Sequence, residues 1–356
     1  MSKHSIADNA TEALLDALRT AVQRPSNYRP LWVADEHKLP PNLTSTLADN
    51  NGLFISNRFD QHQRAMKGGV QSWFSDIDLS VLTENSIGHI FFRVAKERAL
   101  VHHLINEASR TLPTGGSLWL AGFKNEGIKT HIERAEERFN TKANITRHKN
   151  QLFVGEIAQQ SPAESDLPDN DYPVLRQVEC GEQLIWSKPG LYGWNKADEA
   201  SQLLMDFLAD QSVSFEGKKI LDLGCGYGYL SMRAIDLGAK NIVATDNCTA
   251  ALAACEKNLS GTNIQSLVVP SNAGLEIDSA FDVILCNPPF HQGFSTTNEM
   301  HQKFLIETSR LLSAEAKAWY VVNQFLNIES IAKDAGLYAA EMSRTKSYKI
   351  VELTRL

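Results

Sequence analysis

The sequence lacks the cysteine patterns that mark disulfide frameworks and metal centres. Its 356 residues include five cysteines, none in a Cys-x-x-Cys spacing and none clustered with histidine. Structural metal sites and redox motifs depend on such spacings, so we predict neither a metal site nor a disulfide. The cysteines are expected to be reduced core residues, which is typical of a cytoplasmic protein.

Long apolar runs and a secretion signal are missing as well. No stretch of eighteen apolar residues is present, so no membrane span is predicted. Residues 1–20 lack the apolar segment of a secretory signal and have the pattern of an amphipathic helix. An apolar content of 43% and a charged content of 22% are ordinary for a globular protein. We therefore expect a cytoplasmic protein without membrane attachment, and we predict a monomer.

An excess of positive charge is also absent. The formal net charge of −7 argues against a protein that binds nucleic acid through charge alone. Residues 1–157 hold 19 Lys+Arg against 17 Asp+Glu, whereas residues 158–356 hold 16 against 25. The first half could therefore carry local basic patches, although solvated helix faces have the same composition. The candidates form two groups: Arg93, Lys96 and Arg98, and Arg138, Lys142, Arg147 and Lys149.

The chain divides by composition into two α/β halves. Residues 159–173 are rich in Pro, Asp and Ser, which is typical of a linker. On both sides of it, short apolar runs alternate with helical patterns, and this predicts mostly parallel, doubly wound sheets. We predict two tandem Rossmann-like α/β domains, residues 1–160 and 178–356, joined by a linker over 161–177.

The predicted strands fall at similar intervals in the two halves. In the first half they lie at 31–35, 52–56, 88–94, 117–123 and 152–158. In the second half they lie at 219–224, 241–246, 264–270, 281–287, 317–323 and 346–355. A hairpin is predicted within 178–194, ahead of the second set.

A glycine-rich turn in the second half predicts a ligand site. Within 220-ILDLGCGYGYLS-231, Gly224, Gly226 and Gly228 allow a tight turn and the close approach of a ligand. A plain strand–helix turn could use the same glycines. Asp246 ends the next predicted strand, where an acid can bind ribose hydroxyls. Asp222, just before the turn, would repel a pyrophosphate, so a cationic ligand is favoured over a nicotinamide dinucleotide.

The pattern D-x-G-x-G-x-G resembles motif I of the class I S-adenosylmethionine-dependent methyltransferases. The resemblance implies S-adenosylmethionine as cofactor, with its methionine part along Gly224 to Gly228. It also implies that Asp246 binds the ribose and that Asn247 and Asn272 lie at the adenine. Residues 1–157 contain no such motif, so the first domain is expected to lack a cofactor site.

The segment 284-ILCNPPFH-291 ends a predicted strand with a rigid polar turn. In the fold implied above, this strand points at the reaction centre. The Asn287 side-chain oxygen and the Pro288 carbonyl could accept the two N–H bonds of a planar amino group and aim its lone pair. The prolines fix the backbone, and Phe290 offers a stacking face worth roughly 1–3 kcal/mol for a base. Pro289 and His291 are expected to contact the substrate, and no general base is required.

Asn-Pro-Pro-aromatic in this position resembles the amino-methyltransferases, whose targets include adenine N6, cytosine N4, guanine N2 and glutamine side chains. The motif does not choose among these targets. A glutamine-specific protein methyltransferase, a DNA adenine methyltransferase and an RNA-binding module without cofactor therefore stay open as alternatives.

Longer segments of the sequence narrow the choice of methylation target. The segments FDVILCNPPFHQG and KSYKIVELTRL are similar to those of the bacterial ribosomal RNA guanine-N2 methyltransferases. In that family two methyltransferase-like domains lie in tandem, and the C-terminal one binds cofactor. The resemblance implies a guanosine in small-subunit (16S) ribosomal RNA as the target, with large-subunit (23S) RNA as the alternative. One departure is that Tyr192, Gly193 and Trp194 replace the family's Phe-Ser-Arg, although Asp198 is retained. Tyr192 is expected to lie at the substrate.

An RNA substrate sets two physical requirements. A guanine amino group inside a helix is inaccessible, so the base must be unpaired or flipped. The second half is acidic, which suits a cationic cofactor and not a polyanion. Phosphate contacts are therefore expected from the first domain, whose alternative role is folding support.

Overall fold

The computed structural model describes residues 8–24, 28–82, 86–161, 163–180, 183–289 and 294–356, and in the last range it describes side chains from residue 299 onward. The chain forms two compact units, Met1–Val174 and Leu175–Leu356. We refer to them as unit 1 and unit 2. The boundary between them falls inside the predicted linker.

Unit 1 is a seven-stranded sheet flanked by helices. Its strands are β1 (Arg29–Ala34), β2 (Leu53–Ser56), β3 (Gln71–Phe74), β4 (Ile87–Arg93), β5 (Ser117–Phe123), β6 (Asn144–Arg147) and β7 (Leu152–Ala158). Its helices are α1 (Asn9–Ala21), α2 (Leu43–Asp49), α3 (Phe59–Lys67), α4 (Arg98–Thr111) and α5 (Ile128–Phe139).

Unit 2 begins with the predicted hairpin and continues with a second seven-stranded sheet. Its strands are β8 (Arg176–Cys180), β9 (Gln183–Ser187), β10 (Lys219–Leu223), β11 (Asn241–Asp246), β12 (Gln265–Pro270), β13 (Phe281–Cys286), β14 (Leu312–Asn323), β15 (Leu337–Arg344) and β16 (Tyr348–Arg355). Its helices are α6 (Glu199–Asp210), α7 (Tyr229–Asp236), α8 (Thr249–Leu259), α9 (Phe294–Leu311) and α10 (Ile328–Asp334).

The two large sheets have the same strand order. They run β3-β2-β1-β4-β5-β7-β6 and β12-β11-β10-β13-β14-β16-β15. In each sheet the first five strands are parallel and the last two pair antiparallel. The predicted fold of two tandem, mostly parallel α/β domains is confirmed. The direction of winding reverses between β1 and β4, and between β10 and β13, and doubly wound sheets bind ligands at the carboxyl ends of such strand pairs.

Burial explains why the sequence predicts the central strands. Every residue of β4 is buried, as are the last four of β13, because helices cover both faces of each sheet. Such strands appear as continuous apolar runs. No helix among the described residues combines the length and the apolar character that a membrane crossing requires.

The part of the predicted linker that lies in unit 1 is packed against that unit. Asn106 on α4 forms two hydrogen bonds with the backbone of Leu167, at 3.0 and 2.9 Å. Tyr172 is buried, and its hydroxyl donates to Asp76 at 2.9 Å. These contacts fix residues that a polar composition alone would leave free.

Candidate active site

Strand register brings the predicted site residues of unit 2 together at the carboxyl ends of the parallel strands, which form one edge of the sheet. Leu223 pairs with Thr245, and Asp222 pairs with Leu285. The next positions place Gly224 level with Asp246 on one side and with Asn287 on the other. Adjacent strands lie about 4.8 Å apart, so Asp246 and Asn287 are separated by roughly 10 Å across the turn at Gly224. This edge is the switch point of the sheet.

The backbone of the glycine loop favours glycine at each of its three positions. Gly224, Gly226 and Gly228 have φ of 80°, 53° and 88°, a region that other residues avoid. A Cβ at Gly228 would lie 2.8 Å from the sulfur of Cys255. A Cβ at Gly226 would meet no atom within 4 Å. The loop is therefore held tightly against the protein at Gly228 and faces open space at Gly226.

Asp222 is enclosed beneath this loop. It is fully buried, and its Oδ2 accepts hydrogen bonds from the N–H and hydroxyl of Ser231 at 2.9 and 2.6 Å. Its Oδ1 has no hydrogen-bond partner among the described residues. Burial, with a smaller contribution from the negative charge of Asp246, raises the pKa of Asp222 to about 7, although the Ser231 bonds oppose this.

This position differs from the expectation that Asp222 faces a cationic ligand group. The donors at the start of α7 draw the carboxylate inward, so it is not open to contact. Any effect of its charge on a ligand would act through the loop above it.

Asp246 ties the glycine loop to the end of β11. Its Oδ2 accepts from the N–H of Gly226 and its Oδ1 from the N–H of Cys248, both at 2.9 Å. Asn247 follows directly and is partly exposed. Asn272, after β12, is also partly exposed, and its N–H donates to Glu276 at 2.9 Å. The residues assigned to ribose and adenine thus follow neighbouring strands at the same edge.

Asn287 is held by its amide nitrogen. Its Nδ2 donates to Asp198 Oδ2 at 2.7 Å and to Ser201 Oγ at 2.9 Å. Pro288 is buried and Pro289 is exposed. The predicted stacking ring Phe290 and the neighbouring His291 lie outside the described residues.

Sequence reasoning missed Asp198 and Ser201 as partners of Asn287. Asp198 is the N-cap of α6, where its carboxylate accepts the Ser201 N–H at 2.8 Å. The sequence signal was the cap itself, since Asp followed by a helical pattern marks a helix start. Its second contact, 89 residues away in the chain, had no local signal.

Tyr192 is two-thirds exposed, at 66%. Partial burial raises the pKa of its phenol, and so does the negative charge of Asp198. Partial burial, with a smaller contribution from the same charge, also raises the pKa of Tyr348 at the start of β16. Two tyrosines therefore lie near the carboxylate that contacts Asn287.

The corresponding edge of unit 1 is occupied by protein side chains. Arg93, the last residue of β4, is only 5% exposed and donates to Asp8 at 3.1 Å and to Glu126 at 2.7 Å. It also donates to the Val94 carbonyl at 2.9 Å. A guanidinium with three partners fills the position that corresponds to Asn287 in unit 2.

These contacts correct the proposed basic patches of unit 1. Arg93 is committed to its ion pairs. Arg138 is equally buried, with its guanidinium on Asp166 at 2.9 Å. Neither is available to phosphate, because each guanidinium is buried and already paired with an acid. Lys142 is exposed but is paired with Glu136 at 2.8 Å. The exposed cations that have no acidic partner among the described residues include Lys96, Arg98, Arg147 and Lys149.

No group of three or more His, Cys, Asp or Glu side chains suited to a metal ion occurs within the described ranges. The five cysteines are free thiols, and four of them are buried.

Comparison with known proteins agrees with this geometry. Residues 182–352 match the family model described as methyltransferase small domain. Ribosomal RNA small subunit methyltransferase C of Shewanella loihica is 29% identical over 259 residues, which cover 71% of this chain and 74% of the relative. The enzyme of the same name from a Marinomonas species is 26% identical over 268 residues, covering 73% and 74%.

Among solved structures, the T. thermophilus 16S rRNA N2 G1207 methyltransferase (RsmC), in complex with AdoMet and guanosine, has a TM-score of 0.81. It is 20% identical and covers 99% of this chain and 93% of its own, so it supports the two-unit fold over nearly the whole length. The matched domain contains both the glycine loop and Asn287. The second half of the chain is thus a methyltransferase small domain, and the chain as a whole is RsmC-like.

Proposed function

We propose that this protein transfers a methyl group from S-adenosylmethionine to the exocyclic N2 of a guanosine in small-subunit ribosomal RNA. The observation that carries the proposal is the carboxamide of Asn287. It stands at the switch point of unit 2 with its nitrogen bound to Asp198 and Ser201. Its oxygen remains to accept from a substrate.

The edge of unit 2 fits S-adenosylmethionine. The space above Gly226 leaves room for a ligand against the loop backbone. Asp246 and the partly exposed Asn247 and Asn272 provide polar groups for a ribose and an adenine. The enclosed charge of Asp222 favours a cation at this loop. When bound, the cofactor supplies a sulfonium-linked methyl group, which is open to in-line displacement.

The chain's own residues prepare the amino group. An exocyclic amine on a purine is a weak nucleophile because its lone pair is delocalised into the ring. Asn287 Oδ1 and the Pro288 carbonyl accept its two N–H bonds and hold the nitrogen nearer to tetrahedral geometry. The nitrogen gains the methyl group and then loses one proton to solvent, so no strong general base is needed.

The names of the relatives support the choice of RNA. Those from Shewanella and Marinomonas are small-subunit ribosomal RNA methyltransferases, and the T. thermophilus enzyme is described as acting on N2 of G1207 in 16S RNA. Large-subunit RNA is not favoured. For the other planar nitrogens, adenine N6 and glutamine, the structure offers no specific support.

We further propose that unit 1 contributes RNA phosphate contacts through a rim formed by Lys124, Arg147 and Lys149. Pairing of Phe123 with Leu152, and of Arg147 with Phe153, brings the three cations together. All three are exposed and lack an acidic partner among the described residues. Of the three, Lys124 lines a cavity of about 380 Å³, together with Phe123, Asn125, Glu126, Asn150 and Gln151. Lysine and arginine side chains bind RNA phosphates through charge.

Two measurements test the proposed reaction. Mapping methylated nucleotides in ribosomal RNA from a strain without this protein should show one guanosine that has lost its N2 methyl group. Asn287→Ala should keep the rise in melting temperature that S-adenosylmethionine produces and lose at least about 100-fold in turnover. A full complement of methyl groups in the deletion strain, or no cofactor-induced shift in the wild type, would refute the proposal.

A further inference from the structure

The carboxamide of Asn287 is fixed by the first turn of α6. Asp198 Oδ2 accepts two hydrogen bonds, from the Ser201 N–H at 2.8 Å and from Asn287 Nδ2 at 2.7 Å. Ser201 Oγ accepts the second Nδ2 hydrogen at 2.9 Å. Ser201 is 6% exposed, so this contact is largely shielded from water. One helix start thus satisfies both hydrogens of the amide.

These contacts determine which end of the amide faces the substrate. A carboxylate is an acceptor only, so Asp198 can bind the nitrogen end of Asn287 but not the oxygen end. A flipped amide would lose the bond to Asp198 and place two oxygens against each other, and only the Ser201 hydroxyl could still bond to it, as a donor. Rotation is therefore suppressed, and Oδ1 stays on the side away from Asp198. No donor among the described residues contacts Oδ1, which leaves this oxygen available to an incoming N–H.

We propose that Asp198 and Ser201 are positioning residues for methyl transfer, acting through the orientation of Asn287. The inference rests on the proposed function, since it assigns the Asn287 oxygen to the substrate amine. It goes beyond helix capping because the same carboxylate oxygen that caps α6 also holds the amide. Orientation at the reacting atom affects the rate of transfer, whereas capping affects stability.

The test compares the turnover of three single variants of the full-length protein. Asp198→Ala and Ser201→Ala each remove amide contacts, and kcat on ribosomal RNA should fall roughly 10- to 100-fold. The KM for S-adenosylmethionine should stay within about twofold, because neither residue belongs to the glycine loop. Asp198→Asn provides the rescue: its carbonyl oxygen can accept the same two N–H bonds, so most of the turnover should return.

A matched control separates positioning from stability. Asn327 caps α10 in the same unit, where it accepts the Ser330 N–H, and within the described ranges no hydrogen bond joins it to Asn287. Asn327→Ala should lower the melting temperature to a similar extent as Asp198→Ala while kcat is retained. All rates are measured well below the melting temperature of each variant.

The outcomes distinguish a failure of the positioning role from a failure of the proposed function. If the Ala variants lose no more turnover than Asn327→Ala, or if Asp198→Asn is as slow as Asp198→Ala, the positioning role is wrong. If the wild-type protein methylates no RNA, the proposed function itself fails, whatever the variants do.

Discussion

Replacing Asp222 by asparagine should stabilise the protein above pH 7. The pKa of this buried carboxyl is raised to about 7, so the folded state holds the proton more tightly than the unfolded state. The free energy of unfolding therefore falls as the pH rises from about 4 to 7, and the loss persists above that window. From an unfolded pKa of about 3.9, the cost of ionisation is on the order of 4 kcal/mol at pH 8.

Asparagine removes this cost but introduces a smaller one. Its side-chain oxygen can still accept from Ser231, whereas its nitrogen would replace Oδ1, which has no partner among the described residues. A buried donor without an acceptor costs about 1–3 kcal/mol. The net gain at pH 8 is then about 1–3 kcal/mol, and at pH 5 the variant should have little or no advantage.

Urea-induced unfolding at pH 5, 6, 7 and 8 measures the effect. The difference in unfolding free energy between Asp222→Asn and the wild type should shift by about 2–3 kcal/mol in favour of the variant between pH 5 and pH 8. Asp282→Asn is the control, because that carboxylate also accepts a backbone N–H, at the opposite edge of the same sheet. Parallel pH profiles for Asp222→Asn and the wild type would refute the reasoning.

The same variant should bind S-adenosylmethionine more weakly. A unit charge within several ångströms is worth about 1–3 kcal/mol at an effective dielectric constant of 20. Calorimetric titration at pH 8, where the Asp222 carboxyl is mostly ionised, should therefore show a Kd raised roughly tenfold. If Asp222→Asn makes the protein more stable and also weakens cofactor binding, the charge of Asp222 contributes to binding at a cost in stability.

Two further predictions concern the glycine loop and the rim of unit 1. Gly228→Ala should lower the unfolding free energy by about 2–3 kcal/mol, since it combines the strain of a left-handed backbone with a steric clash. Gly226→Ala should lower it by about 1 kcal/mol but should weaken cofactor binding. Equal destabilisation of the two variants in thermal unfolding would contradict this. Replacing Lys124, Arg147 and Lys149 together by alanine should weaken RNA binding and reduce the slope of log K against log salt by about 2–3, with cofactor binding unchanged. An unaltered slope would exclude the rim. The control variant removes three exposed cations elsewhere in unit 1, at Arg19, Lys67 and Arg134.

The sequence predicted the buried strands and, of the four edge strands, only β12. The central strands appear as apolar runs because both of their faces are covered. The edge strands β3, β6 and β15 were missed, since their residues are largely exposed or half-buried and show no apolar run. In such strands the ladder hydrogen bonds come from a neighbour whose identity depends on the tertiary fold.

In the candidate site as well, features with a local sequence signal were predicted and features that depend on distant partners were not. Motif spacing located the glycine loop and Asn287, because each follows a recognisable strand. Whether Arg93 and Arg138 are free or ion-paired depends on Asp8 and Asp166, which lie 85 and 28 residues away in the chain. Local composition could not separate a solvated cation from an enclosed one. The enclosure of Asp222 likewise follows from Ser231, which the turn brings back beneath the loop.

The ion-paired Arg93 in unit 1 has a consequence for how this protein can diverge. A copy of the fold whose ligand crevice is closed by its own side chains is released from conserving a reaction, and only its packing and outer surface remain under constraint. If unit 1 contacts the RNA, as proposed above, changes of RNA target can accumulate on that copy while the chemistry of the other stays intact, so target choice and methyl transfer can evolve in separate units of one chain.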